Sequence, residues 1–194
     1  EITLKAIECE NAGAWTFGDS NLVGRRNLVE KATIGIQSAK TSLTVANNIF
    51  RDIKATLTPS GYTLGTGIAI LSKDPIPYGT NPRGYLTVGH ATNDSYRNFF
   101  ERCYEGINAH KNQDITIRRA NMDEIGFRGI FVSKNTGGKV IIARDTIRDA
   151  KMGIQLGVLT NCTLEIDQNV IESYIGTDNT GILCDALTTI QPTF

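Results

Sequence analysis

The chain has 194 residues, 20 basic and 20 acidic side chains, and 40% hydrophobic content. A chain this long buries roughly 70% of its unfolded surface, enough for one substantial core. Zero net charge excludes the long-range pull that nucleic acids and anionic membranes exert on basic proteins. No apolar run approaches the ~20 residues of a membrane-crossing helix.

Residue 1 is Glu and no signal peptide is visible, so the sequence reads as a processed chain or a piece of a longer one. The four cysteines lack CxxC spacing. Nineteen glycines and few helix-favouring stretches predict a turn-rich β protein.

In chain order, strand-like patterns begin at Ile2-Thr3-Leu4 and Leu22-Val23-Gly24. They become regular at Ser42-Leu-Thr-Val45, Tyr85-Leu-Thr-Val88, Asp114-Ile-Thr-Ile117, Lys139-Val-Ile-Ile142 and Thr163-Leu-Glu-Ile166. Alternation points Leu43, Val45, Leu86, Val88, Ile115, Ile117, Val140, Ile142, Leu164 and Ile166 inward. A Gly-Ile pair recurs at Gly35, Gly67, Gly106, Gly129, Gly153 and Gly181, which predicts Ile36, Ile68, Ile107, Ile130, Ile154 and Ile182 as one inward column. A third apolar column is Val29, Phe50, Phe100, Met122, Ile147 and Ile171. Two residues before it stand Asn27, Asn48, Asn98, Ala120, Asp145 and Asn169. Asn and Asp tolerate a left-handed bend, and stacked amides can bond one another in a ladder. Asn27, Asn48, Asn98, Asp145 and Asn169 are therefore expected to form one.

Three short strands per repeat describe a coil that cannot bury its own apolar side. Stacking coils at ~4.8 Å closes a core and pairs every strand above and below. The expectation is an all-β parallel β-helix of about seven coils, a single domain over 1–194 within a longer chain. Hairpin turns of the Asn-Gly or Asp-Gly type are absent, which argues against an antiparallel sandwich.

The pattern apolar-x-apolar-x-x-Asn-x-apolar followed by Gly-Ile resembles the repeats of the pectin-lyase-like superfamily over about residues 20–184. That resemblance implies a right-handed coil. It implies little about activity, because the superfamily spans polysaccharide lyases, glycoside hydrolases, tailspikes and adhesins.

The repeat is interrupted at about 51–66, 71–84 and 89–97, and insertions on a solenoid are where function is sought. They carry Tyr62, Lys73, Asp74, Tyr78, Arg83, His90, Asp94 and Tyr96. Tyr62, Tyr78, Arg83 and Tyr96 suit stacking on and hydrogen bonding to a sugar. His90 and Asp94 are the candidates for catalysis. Uronic-acid lyases of the superfamily use acidic residues around calcium, and its hydrolases use an Asp-Asp pair and Gly-His-Gly. This chain has Gly89-His90-Ala91 and no Asp-Asp. Two histidines and scattered cysteines have no metal-ligand spacing, so no metal site is expected, and Ca²⁺ enters only with lyase chemistry. A charged band of alternating sign, Glu30 and Lys31, Arg51 and Asp52, Glu101 and Arg102, Asp123 and Glu124, Arg148 and Asp149, reads as a solvated edge.

The leading expectation is a non-catalytic module of a secreted or cell-surface protein, structural, adhesive or glycan-binding. Its partners would be a surface glycan and other domains of the same chain, with no nucleic acid and no membrane insertion. The alternative is a polysaccharide lyase or glycoside hydrolase working in a cleft beside the inserted loops.

Overall fold

The computed structural model describes residues 5–18, 26–58, 61–62, 66–73, 84–172, 179–188 and 191–192. Within them the chain is all-β apart from one short 3-10 turn at Asp94–Tyr96. A 12-stranded sheet and a six-stranded sheet carry the fold, and all pairings in both are parallel. A two-stranded antiparallel hairpin, Leu57–Thr58 with Gly61–Tyr62, stands apart.

The larger sheet curls because the strand Ile34–Val45 belongs to two ladders. Its first half pairs with Ile68–Lys73 and its second half with Leu86–Val88. From there one arm runs through Glu105–His110, Arg128–Ser133, Met152–Thr160 and Thr180–Thr188. The other runs through Ile115–Arg118, Lys139–Ala143, Thr163–Asp167 and Gln191–Pro192. The six-stranded sheet orders Asn27–Glu30, Asn48–Arg51, Phe99–Glu101, Asn121–Asp123, Thr146–Arg148 and Val170–Glu172. Equivalent residues therefore stack in columns, and the arrangement is compatible with a solenoid.

The core lies between these three faces. Leu43, Val45, Leu86, Val88, Ile115, Ile117, Val140 and Ile142 are all buried in it, as are Phe50, Phe100, Met122 and Ile147. Phe50 and Phe100 stack with centroids 5.1 Å apart. One column expected from the sequence is out of register. Ile70, not Ile68, pairs with Ile36 and Ile107, while Ile68 pairs with Ile34 and Glu105. Gly67 is a corner residue with φ +77°, and a Cβ there would lie 2.5 Å from the Ala55 nitrogen. The first insertion returns the chain two residues earlier than the Gly-Ile spelling suggests. Ile34, Ile68 and Leu71 form a separate apolar cluster outside the main core.

The corners between faces are made by single left-handed residues, and most are not glycine. Asn11, Lys40, Lys111, Lys134, Val158 and Ala186 turn one corner. Asn47, Arg119, Arg144 and Gln168 turn the next, and Lys31, Asp52, Arg102, Glu124 and Asp149 the third. The left-handed conformation costs an ordinary residue about 1–2 kcal/mol. Ladder bonds on both sides hold it: Asp52 N donates to Glu101 O at 3.0 Å, and Arg102 N to Asp123 O at 3.1 Å. The third corner is the charged band of the sequence.

The Gly of four of the Gly-Ile pairs, at Gly35, Gly106, Gly129 and Gly153, has a steric cause. A Cβ at Gly153 would lie 2.6 Å from Gly181 O and 2.6 Å from the Ile171 side chain. Gly129 faces Gly153 O and Ile147 in the same way. The third apolar column occupies the space where a methyl would go. Gly153→Ala is expected to destabilise by about 1–3 kcal/mol, as overpacking does. Gly181→Ala, with nothing within 4 Å of its Cβ, should change stability by less than about 0.5 kcal/mol. Urea denaturation of the two variants checks the contrast.

The Asn column forms bonds along the stack. Asn27 Nδ2 donates to Asn48 Oδ1 at 2.9 Å, and Asn48 Nδ2 to Asn98 Oδ1 at 3.2 Å. These amides also reach a carbonyl of the preceding repeat: Asn48 to Phe17 O, Asn98 to Val45 O, Asn169 to Ile142 O. Ala120 interrupts the side-chain run. Beyond it Asp145 Oδ1 accepts from Ala120 N at 2.7 Å, and Asp145 N donates to Asn169 Oδ1 at 3.0 Å. Asp145 is fully buried, and its Oδ2 has no partner. An asparagine in this column donates there, and a carboxylate cannot. Burial pushes the Asp145 carboxyl up to about 7, against the Ala120 bond and the charges of Arg97, Arg118 and Arg119.

The unfolded chain releases this proton near 3.8, the folded chain only near 7. Below about 4 the stabilising protonated form is fully present. As pH rises through 7 that contribution is lost. Asp145→Asn is expected to gain about 1–3 kcal/mol at pH 8, where it removes an unpaired buried charge and supplies a donor. It should also flatten the decline in stability between pH 4 and 7. Denaturation of both proteins at pH 5 and pH 8 measures this, and equal stabilities at pH 8 would contradict it.

Candidate functional site

The third insertion is organised by a residue that lies outside it. Arg119 occupies a left-handed corner with φ +57° and is 3% exposed. Its Nε donates to Asp94 Oδ1 at 2.6 Å, and its Nη1 donates to His90 O at 2.9 Å and to Ala91 O. The guanidinium thus ties both halves of the loop to the stack. Asn93 caps the short 3-10 turn by accepting from Ser95 N at 2.9 Å. His90 Nδ1 accepts from Thr92 N at 3.2 Å and Asn93 N at 3.1 Å, and the His90 ring tilts against Tyr96 with centroids 5.2 Å apart.

This geometry limits the chemistry. With Nδ1 accepting from two backbone N–H groups, neutral His90 carries its proton on Nε2 and offers no base there. Desolvation pushes the Asp94 carboxyl up, but the hydrogen bonds from Arg119 and Arg97 outweigh it and hold it below the usual carboxylate range. An acid held ionised by two guanidinium groups donates no proton near neutrality. His90, Asp94 and Tyr96 are brought together, in a self-bonded loop. Arg119 was not legible beforehand, because it sits in an ordinary repeat beside Arg118 and nothing in the sequence marks its reach.

The remaining candidates are scattered. Tyr78 and Arg83 lie outside the described residues, and only the backbone of Tyr62 is described. The first and third insertions do not share a cleft. One leaves the end of Asn48–Arg51 and the other enters the start of Phe99–Glu101, so they sit on opposite flanks of the six-stranded sheet. His110 is half-buried. Its Nδ1 lies 3.0 Å from Ser133 Oγ, and burial, with Lys134, Lys111 and Lys73 nearby, lowers its pKa. All four cysteines are free, and Cys184 is exposed although it stands in register with buried Leu156. Among the described residues no three His, Cys, Asp or Glu side chains converge as metal ligands.

A groove lies where the six-stranded sheet turns into the Gly-Ile strands. Two adjoining hollows of about 520 and 390 Å³ share Lys54 and Ala55. Lys31, Thr33 and Thr56 line the first, and Arg102, Tyr104 and Glu124 the second. It runs along the third corner, so the backbone sets its course along successive repeats. Asp52 accepts from Arg102 at 2.8 and 3.1 Å, a pairing that lowers the Asp52 pKa. The Tyr104 ring is stacked on Phe127 with centroids 5.6 Å apart. Lys31 and Lys54 are exposed. The charged band therefore forms one side of a groove, which the alternation of sign did not disclose. The one available signal was that the first insertion begins at this corner.

A different polar cluster is structural. Glu105 accepts from Arg128 and from Asn108, and the Arg128 guanidinium lies 4.0 Å from the Phe131 ring centroid. With Glu105 5% exposed, removal of either partner would leave a buried charge.

Arg119→Met should release the 89–97 loop while leaving the stack folded. Because Asp94 is 69% exposed, the ion pair itself contributes little, and the loss falls on the two bonds to loop carbonyls. Limited proteolysis is expected to cut the variant within residues 89–97 at least tenfold faster than the parent, with an unchanged far-ultraviolet spectrum. Comparison of the sequence with family models, with curated proteins and of the structure with solved structures gives no match.

Proposed function

We propose that this chain is a right-handed parallel β-helix of about seven coils, of the pectin-lyase-like type, and that it serves as a non-catalytic, glycan-binding module of a secreted or cell-surface protein. The coil reading is supported by seven successive strands, from Lys5–Phe17 to Thr180–Thr188, that pair in parallel in one arm of the larger sheet. It is supported too by the three left-handed corners that recur along the chain.

The observation that carries the binding reading is the groove along the third corner. It is open and runs over two adjoining hollows, with a mainly apolar lining, charged side chains along it and a stacked tyrosine on one wall. Sugars are bound by such surfaces through hydroxyl hydrogen bonds and contact with an aromatic ring. Lys54 is shared by the two hollows, and Tyr104 lines the second. The engaged state of His90 and Asp94 favours binding over turnover at the other insertion.

Calorimetry against a panel of neutral and anionic polysaccharides tests the proposal. One or more should bind, and Tyr104→Ala and Lys54→Ala should each weaken binding about tenfold, or roughly 1.4 kcal/mol. Asp94→Asn should leave it unchanged. A folded protein that binds none of the panel would refute the reading. Release of reducing ends or unsaturated products, abolished by His90→Ala, would establish a hydrolase or lyase instead, and dependence of that turnover on added Ca²⁺ would favour the lyase.

A further inference from the structure

We propose that the corner turned by Lys40, Lys111 and Lys134 carries an oxyanion site, in which Lys73, His110, Lys111 and Lys134 take a phosphate or sulfate group, free or as an ester. The site lies at a different corner from the groove and stands apart from the glycan reading.

The ladder builds it. Lys73, His110 and Ser133 end three adjacent strands and stand in register. At ~4.8 Å per rung they form one column. Lys111 and Lys134 are the next residues of two of these strands, turned by φ of +59° and +55°. Their backbone is fixed on the following repeat: Lys111 N donates to Ser133 O at 3.1 Å, and Lys134 N to Gly157 O at 2.9 Å. Lys73 and Lys134 are exposed, His110 and Lys111 half-buried, and Ser133 buried.

Three ammonium groups thus bear on one imidazole. His110 Nδ1 lies 3.0 Å from Ser133 Oγ. With that hydroxyl donating, the ring proton sits on Nε2, where it can serve an anion. Burial lowers the His110 pKa, and the charges of Lys134, Lys111 and Lys73 lower it further, so the ring is neutral near pH 7. Among the described residues, the first carboxylates met along the column are Glu10 and Asp185, each three rungs from His110, or about 14 Å. That exceeds the screening length of about 8 Å at physiological salt. Asp114, past the corner, accepts from Lys139 N at 2.6 Å, and Asp74 lies outside the described residues. The other two corners differ: Asp52 pairs with Arg102 at one, and Asp94 with Arg119 at the other. A cluster of like charge around a neutral donor is what a bound oxyanion neutralises. Donors arriving from three successive rungs suit the several oxygens of a phosphate or sulfate better than the two of a carboxylate.

The chain has two histidines, so nuclear magnetic resonance of the imidazoles reads the site and carries its own control. Sodium sulfate or phosphate, exchanged for chloride at constant ionic strength, should shift the His110 signals saturably and leave those of His90 unmoved. Bound sulfate should raise the His110 titration midpoint by about one pH unit, as a neighbouring opposite charge does. Reciprocally, sulfate, whose own charge is constant, should bind about tenfold tighter at pH 5 than at pH 8. Lys73→Met and Lys134→Met should each weaken it about fivefold, the effect of one exposed charge contact. Retention on dextran sulfate but not on dextran would assign the ester as the source, and saturation by the free ions without retention would assign the free anion. Absence of a saturable His110 shift would overturn the proposal. So would a shift that persists unchanged in the double variant Lys73→Met, Lys134→Met.

Discussion

The parallel hydrogen-bond ladder along the stack is the constraint on which the rest depends. No strand of the two parallel sheets can satisfy its backbone within its own repeat. Each is completed by equivalent residues one repeat before and after, and that fixes the register of the side chains. The Leu-Thr-Val positions, the third apolar column and the glycines of the Gly-Ile pairs are consequences. A glycine is needed because the neighbouring repeat's carbonyl and a side chain from the third column already fill its Cβ position. Shape selects the residue there, and conformational freedom does not: Gly106, Gly129 and Gly153 have no positive φ.

The same ladder governs the polar interior. A buried amide column is tolerated because each amide can both accept from the previous repeat and donate to one of its carbonyls: Asn98 Oδ1 accepts from Asn48, and Asn98 Nδ2 donates to Val45 O. Asp145 occupies such a position with an acceptor where a donor belongs, and its carboxyl answers by holding its proton to about 7. A second buried column, at another corner, works less completely. Asn112 Nδ2 donates to Ser72 Oγ and Asn135 Nδ2 to Asn112 O, but the Oδ1 atoms of both asparagines lack partners. Polar residues here carry registration along the axis as well as solubility of the corners.

The groove and the anchored loop sit where the ladder turns. A left-handed corner residue projects its side chain away from the core, so long charged side chains are accommodated there without desolvation. Lys31, Asp52, Arg102 and Glu124 are such residues, and they flank the groove. Arg119 departs from this pattern. It also turns a corner, yet its guanidinium is buried under the third insertion, which gives it three oxygen partners in place of water. One corner position thus yields a solvated edge, a groove wall or a loop anchor, according to what an insertion lays over it.

The sequence by itself determined the period, the all-β class and most of the inward positions, because alternation and stacking act on every repeat and leave a repeated trace. Asn48 and Asn98 could be picked out as interior amides for the same reason. Where the trace is broken, reading by pattern failed. Ile68 was assigned to a column that Ile70 occupies, since a Gly-Ile spelling cannot reveal how many residues an insertion consumes. Only the tertiary structure decided that Arg119 and Asp94 meet and that Lys54 and Tyr104 share a groove. Those contacts join residues of different repeats. Their geometry is fixed by the parallel pairing between repeats and has no local periodicity to announce it.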